Sequence, residues 1–418
     1  MPADPVPLEE ILVTDREQWQ DGPPHALFEQ MRGECPVHWT SKITEYPEEA
    51  GFWSVTTADD VHAVSRDWET YSSATGFTAL TNAILPLELG QAMFIGMDPP
   101  KHDRLKALFQ RGFTPRRIAE HEPAIREITR AVLDRLDGQE TCDLVTDVAQ
   151  PVVARVIGSF MGTAPEDDLI WARLMNSTLG AGDPDLNPEG VTTVMERDVP
   201  EIFRRCAALI AERRERPTDD LMSVLVHADI DGEKLEEHEI VMGFFLLVAA
   251  GNDSTKATFC SGMRALLEDP EQMDQLLADP GLIPSAVEEA LRMFPAFAHF
   301  RRTATRDTVL NGQEIAEGDK VVMWYVSSNR DATRYDDPDH FDVTRNPEHQ
   351  AFGAGGRHFC LGTALARLEL QILVEETLAR YPAMELAGKP EFAESPFINQ
   401  LKTLPVRLGS RAGGGSGL

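Results

Sequence analysis

The sequence predicts a mainly α-helical protein with a small β region, on three observations. Apolar residues recur at helical spacing over four long stretches, strand signals are confined to two short ones, and no linker divides the chain. Residues 1–408 therefore read as one domain. The small polar end, Gly409 to Leu418, reads as a flexible tail.

The first strand signal is Gly51 to Thr56. Arg116 to Leu136 follows as a helix, with Ile118, Ile125, Ile128, Val132 and Leu136 along one side. Leu235 to Leu267 is a long helix. It opens on Glu236, Glu237 and Glu239, acids that suit the positive end of a helix dipole. Pro284 to Phe294 is a shorter helix stopped by Pro295. Arg302 to Trp324 alternates and turns at Asn311-Gly312, a hairpin signal. Leu361 to Tyr381 is the last helix, stopped by Pro382.

Charge narrows the function. Among 418 residues, 69 Asp and Glu against 39 Lys and Arg leave a net charge of −30. Such a chain repels phosphate backbones and anionic bilayers, which excludes nucleic acid and a membrane surface as partners. Five scattered cysteines without a CxxC pair fit neither a disulfide framework nor a zinc site, but suit a reducing cytosol. The start, MPADPVPLEE, lacks a basic, then apolar, leader. Ile240 to Ala250 falls short of the roughly 20 apolar residues of a membrane span. The expectation is a cytoplasmic protein without a membrane anchor, in which Asn176-Ser177-Thr178 is not glycosylated.

The most informative stretch is Phe352-Gly353-Ala354-Gly355-Gly356-Arg357-His358-Phe359-Cys360-Leu361-Gly362. Glycines let a backbone turn sharply and approach a flat ligand closely. A helix begins just after Cys360, and its free N–H groups and positive end lower a thiol's pKa. A thiolate in a glycine cradle suits an axial ligand of haem iron. A buried structural thiol, or a nucleophile paired with His358, are the competing readings. A dinucleotide loop fails, because His358 stands where the third glycine belongs.

This segment resembles the haem loop of the cytochrome P450 monooxygenases, although Phe352 stands eight residues before Cys360 where seven is usual. The resemblance runs from about Asp98 to Pro405 and implies a triangular prism of helices holding haem b, with Cys360 as the iron's axial ligand. It places Phe352, Gly353, His358 and Gly362 around the cofactor. It implies Arg302, in His299-Phe-Arg-Arg302, and His102, in Met97-Asp-Pro-Pro-Lys-His102, as propionate partners. Lys106 stands where arginine is usual. In Ala250-Gly-Asn-Asp253-Ser254-Thr255 the resemblance implies an acid–alcohol pair that relays protons to dioxygen, with either hydroxyl in the alcohol's place. Glu289, Arg292 and Arg345 are similar to a structural ExxR network beneath the haem.

By family position the substrate pocket is lined by Phe77, Leu80, Phe94, Phe245, Val248, Ala249, Ala296, Phe297, Ala298, Phe397 and Ile398, with Leu174 to Val194 as a mobile lid. The implied reaction inserts one atom of dioxygen into a C–H bond of a hydrophobic steroid, fatty acid or terpenoid. Electrons would come from a separate ferredoxin and its NAD(P)H-dependent reductase, docking near Arg111, Arg116, Arg117, Arg357 and Arg367. A peroxide-driven hydroxylase, a haem protein without turnover and a cysteine hydrolase are the alternatives.

Overall fold

The computed structural model describes residues 6–76, 78–81, 87–179, 185, 188–230 and 232–409. Phe77, most of the central part of the expected lid and all but the first residue of the expected tail lie outside them.

Helices dominate, and their ends follow local chemistry. The long helix runs Glu237–Glu268, 32 residues or about 48 Å at 1.5 Å per residue. Glu236 and Glu239 close a reciprocal capping box at its start. Arg116 to Leu136 is two helices, Pro115–Glu120 and Glu122–Asp134, where one was expected. The hydroxyl of Thr114 caps the first, and Pro123 at the opening of the second cannot continue the preceding ladder of hydrogen bonds. Ile283–Met293 and Thr363–Arg380 complete the set beneath the long helix.

Five strands form the main sheet in the order Val37–Thr40, Phe52–Val55, Lys320–Trp324, His299–Ala304 and Tyr71–Ser72. Only the second and third run parallel, with Val321 opposite Trp53. The sheet sets Arg302 opposite Val321. The expected hairpin is present: Thr308–Leu310 pairs with Gln313–Ile315, and Asn311 and Gly312 take φ of 47° and 79°. Both turn residues lie in the left-handed region, as a two-residue hairpin of this type demands.

One apolar core extends from Met93 to Leu408 and a second joins the N-terminal segment to the sheet. Leu144–Met161 is long and apolar enough to cross a membrane, but 67% of it is buried within the fold, as in a core helix.

Candidate functional site

The cysteine loop is closed on itself. The Cys360 N–H donates to the Phe352 carbonyl at 2.9 Å, and Gly353, Gly355 and Gly356 take φ of 92°, 85° and 81°. A side chain at 356 would lie 2.6 Å from the Ser65 carbonyl, so only glycine lets the loop seat against the helix Ala58–Arg66. Ser65 donates to the Gly355 carbonyl at 2.8 Å and fastens the two. Cys360 thereby lines an interior cavity of about 1520 Å³ of atom-free space, mouth included. Its residue surface is open to that cavity while protein encloses it on every side.

The thiol's acidity runs against the sequence-based expectation. Enclosure pushes the Cys360 thiol up, and the pull of the Gly362 N–H, Lys106 and Arg367 does not cancel that. Dipoles and cations stabilise a thiolate, but removal from water costs it more. His358 is no base for this sulfur: its Nε2 lies 3.2 Å from the Ser73 hydroxyl, and its ring packs 4.2 Å from that of His102. The geometry gives no support to a Cys–His nucleophile.

Cations gather at the cavity's edge. Arg302 is 3% exposed and lines it, and among the described residues its side chain's one hydrogen bond runs from Nη1 to the Arg301 carbonyl. A guanidinium carries five N–H donors, so most remain for an anionic guest. His102, His358 and Lys106 line the same cavity. Lys106 departs from the expected simple propionate contact: its ammonium donates to the carbonyls of Arg357 and Phe359 and braces the loop.

Glu289, Arg292 and Arg345 come together as expected. Arg292 makes two bonds of 2.7 Å to Glu289, and Arg345 adds one of 3.0 Å. Glu289 and Arg292 are fully buried, and Arg292 also donates to the carbonyls of Asn329 and Pro338. The network ties the helix before the sheet to the segment leading into the loop.

On the long helix the acid and the alcohols part company. Asp253 does not line the cavity: its Oδ1 meets Lys256 Nζ at 2.6 Å, and that ammonium also reaches Gln150 and Asn176. A buried carboxylate is held by the nearest cation, and Lys256 one turn away supplies it. Ser254 and Thr255 do line the cavity. Ser254 donates to the Ala250 carbonyl at 2.6 Å, whereas Thr255 lines the cavity together with Glu369. Glu369 was not foreseen. It lines the cavity, is 4% exposed, and burial raises its pKa to about 8, so it stays a neutral acid at pH 7. The signal was present in sequence: Leu365, Glu369, Leu373 and Thr377 share one helix face, and an acid in that row needs a reason.

A second cavity lies beside the first and shares Thr78, Ile95, Leu246, Ala250, Phe297 and Phe300 with it. Of the expected pocket residues, Phe94 and Ala296 line the first, Leu80, Phe245, Ala249 and Phe397 the second, and Phe297 both. Val248, Ala298 and Ile398 line neither and are corrected to core. On the helix, Val248 stands nearly opposite Leu246 and Ala250, each two residues away, which carry the lining face. Ala298 alternates away from Phe297 in extended chain, and Ile398 is fully buried where it bridges to Phe297. Leu246, Ile95 and Phe300 are the walls that family position did not supply.

The five expected docking arginines each have an acceptor: Arg111 the Asp229 carbonyl, Arg116 Glu120, Arg117 Asp219, Arg357 Asp103 and Arg367 Glu288. That face is a mosaic of pairs.

These residues fit an iron porphyrin. A soft sulfur donor opens into an apolar hollow, glycines bring backbone close to it, and a buried guanidinium with spare donors stands at its edge to meet carboxylates. The comparisons agree. A family model described as Cytochrome P450 matches residues 281–402. The chain is 36% identical over 414 residues to the methyl-branched lipid omega-hydroxylase of Mycobacterium tuberculosis, covering 97% of this chain and 96% of that one. It is 33% identical over 405 residues to the linalool 8-monooxygenase of Pseudomonas putida, covering 92% and 95%. A Mycobacterium marinum cytochrome P450 solved in complex with pseudoionone superposes at TM-score 0.89 with 34% identity, covering 97% of this chain and all of that one.

Proposed function

This chain belongs to the cytochrome P450 family and is a monooxygenase that binds haem b, and we propose that it hydroxylates an unactivated C–H bond of a steroid, fatty-acid or terpenoid substrate. The observation that carries this reading is the Cys360 sulfur opening into an apolar hollow that continues into a second, apolar-walled cavity. Haem, when bound, supplies the activation of dioxygen.

The chain's own residues orient and protonate. Cys360 would hold the iron, with Arg302, His102 and His358 at the carboxylate edge and Phe352, Gly353 and Gly362 packed around it. Glu289, Arg292 and Arg345 would keep the loop's support in place. The shared wall of Leu246, Ala250 and Phe297 would press the substrate against the reacting centre and exclude water.

Thr255 is the proposed proton-bearing alcohol. Its hydroxyl lines the same cavity wall as Glu369, a neutral acid at pH 7, so a proton donor stands within the site. Ser254 is engaged by the Ala250 carbonyl. Asp253 would contribute only after leaving Lys256. This arrangement favours the oxygen-dependent route over a peroxide-driven one, since only the former consumes protons at the site. Electrons would be delivered by a ferredoxin and its NAD(P)H-dependent reductase at the loop face, in the cytosol that five free cysteines and a charge of −30 suit.

An optical spectrum of the reduced, carbon-monoxide-treated protein tests the reading. The thiolate-ligated signature is expected in the native chain. Its absence, with haem bound, would remove the reading.

A further inference from the structure

Three polar atoms in the wall of the second cavity have no hydrogen-bond partner among the described residues: Thr14 Oγ1, Arg16 Nε and His299 Nε2. Thr14 and His299 are each 1% exposed. Buried polar groups normally find partners, and three orphans along one cavity mark a place where a guest's polar group would sit. Packed rings connect His299 to the segment that carries Thr14. His299 packs 4.7 Å from Trp324, Trp324 packs 6.3 Å from Trp19, and the Trp19 indole donates to the carbonyl of Val13, next to Thr14. None of the three lines the cavity that holds Cys360.

Their chemistry defines the guest. Burial holds His299 neutral, with a pKa lowered to about 4, and its Nδ1 lies 2.8 Å from the Pro396 carbonyl. A carbonyl only accepts, so Nδ1 carries the proton and Nε2 is a bare acceptor. Thr14 offers a hydroxyl and Arg16 an N–H. The site thus asks for a group that both donates and accepts. Charge selects further. Arg16 is the one basic side chain among the described lining residues apart from neutral His299, and Glu45 and Glu394 line the same wall. Glu394 already sits 3.1 Å from the guanidinium, and Glu45 accepts from the backbone N–H of Arg16 at 3.0 Å. A guest carboxylate would be a second anion on a guanidinium that Glu394 already neutralises, beside Glu45 and facing an imidazole lone pair.

We propose that the substrate is an uncharged lipophilic alcohol, its hydroxyl donating to His299 Nε2 in the wall that also carries Thr14 and Arg16, while its hydrocarbon extends toward the cavity of Cys360. This rests on the monooxygenase reading and narrows its substrate class, setting free fatty acids aside.

Calorimetric titration of the haem-loaded enzyme at neutral pH with dodecanol, dodecyl methyl ether and dodecanoate tests it. The alcohol is expected to bind about tenfold tighter than the ether, which cannot donate to His299, since a lost buried hydrogen bond costs about that. Dodecanoate is expected to bind more weakly than the alcohol, and His299→Phe to erase the alcohol's lead over the ether. Ether binding as tightly as alcohol, meaning that water serves the orphans, overturns the proposal, as does tightest binding of dodecanoate. The native series decides even where the variant fails to fold. An intact thiolate spectrum beside a failed series sinks this proposal alone; a missing spectrum sinks the monooxygenase reading.

Discussion

Two sides of the cavity are built on opposite plans. Beneath, the sulfur loop and the Glu289 network are fixed by short contiguous motifs whose groups bond to one another at 2.7–3.0 Å. Above, the guest's walls come from segments as far apart as Thr14, Thr78, Phe245, His299 and Phe397, and polar atoms there are left without partners. The Glu289 triad is closed by bonds within the chain, whereas the three upper-wall atoms await a guest. That contrast is the physical difference between gripping one invariant cofactor and choosing a substrate.

The plan can be broken from below most severely. Cys360→Ala is expected to abolish the thiolate spectrum entirely while circular dichroism keeps the helical signal; retention of that spectrum would place the iron ligand elsewhere. Glu289→Gln strips one partner from a fully buried pair and should destabilise the fold by about 3–5 kcal/mol, seen as a lowered midpoint in denaturant. A loss under 1 kcal/mol would mean the network is not holding the loop's support.

At the boundary between the sides, Thr255→Ala should slow product formation by about a hundredfold, the scale of a lost proton-transfer group, and Ser254→Ala by only a few fold. Equal effects would dissolve the distinction drawn from the Ala250 bond. Glu369 sharpens it through pH. Its native pKa near 8 stands above the ordinary 4.5, so the folded state holds a proton that the unfolded state releases. Its contribution to stability is present below about pH 4.5 and declines as pH rises to about 8. Glu369→Gln should flatten that decline in a denaturant series, and an unchanged slope would contradict a buried neutral acid. Smallest of all, Val248→Ala should cost about 1–3 kcal/mol as a core truncation and leave guest affinity alone, whereas Leu246→Ala should weaken guest binding.

Legibility followed the same divide. The cysteine loop, the Glu289–Arg292 pair and the hairpin could be read because each is a local pattern with one geometric meaning. The split at His121 was missed because an apolar stripe continues across it even though Pro123 ends the ladder. The walls at Ile95, Leu246 and Phe300 were missed because no local pattern says which face of an apolar segment meets a cavity. Val248, Ala298 and Ile398 failed for that same reason, each a residue or two from a true wall. The ion pair of Asp253 with Lys256, a turn away, was not read because spacing suggests such a contact but only packing settles it.

The clasp between Ser65 and Gly355 joins positions 290 residues apart. The sulfur's seat cannot close before both ends of that span have been made. During synthesis nothing can be clasped until the final third has left the ribosome. The nascent chain must wait, its first two hundred residues and more already made, before there is anywhere for a prosthetic group to land.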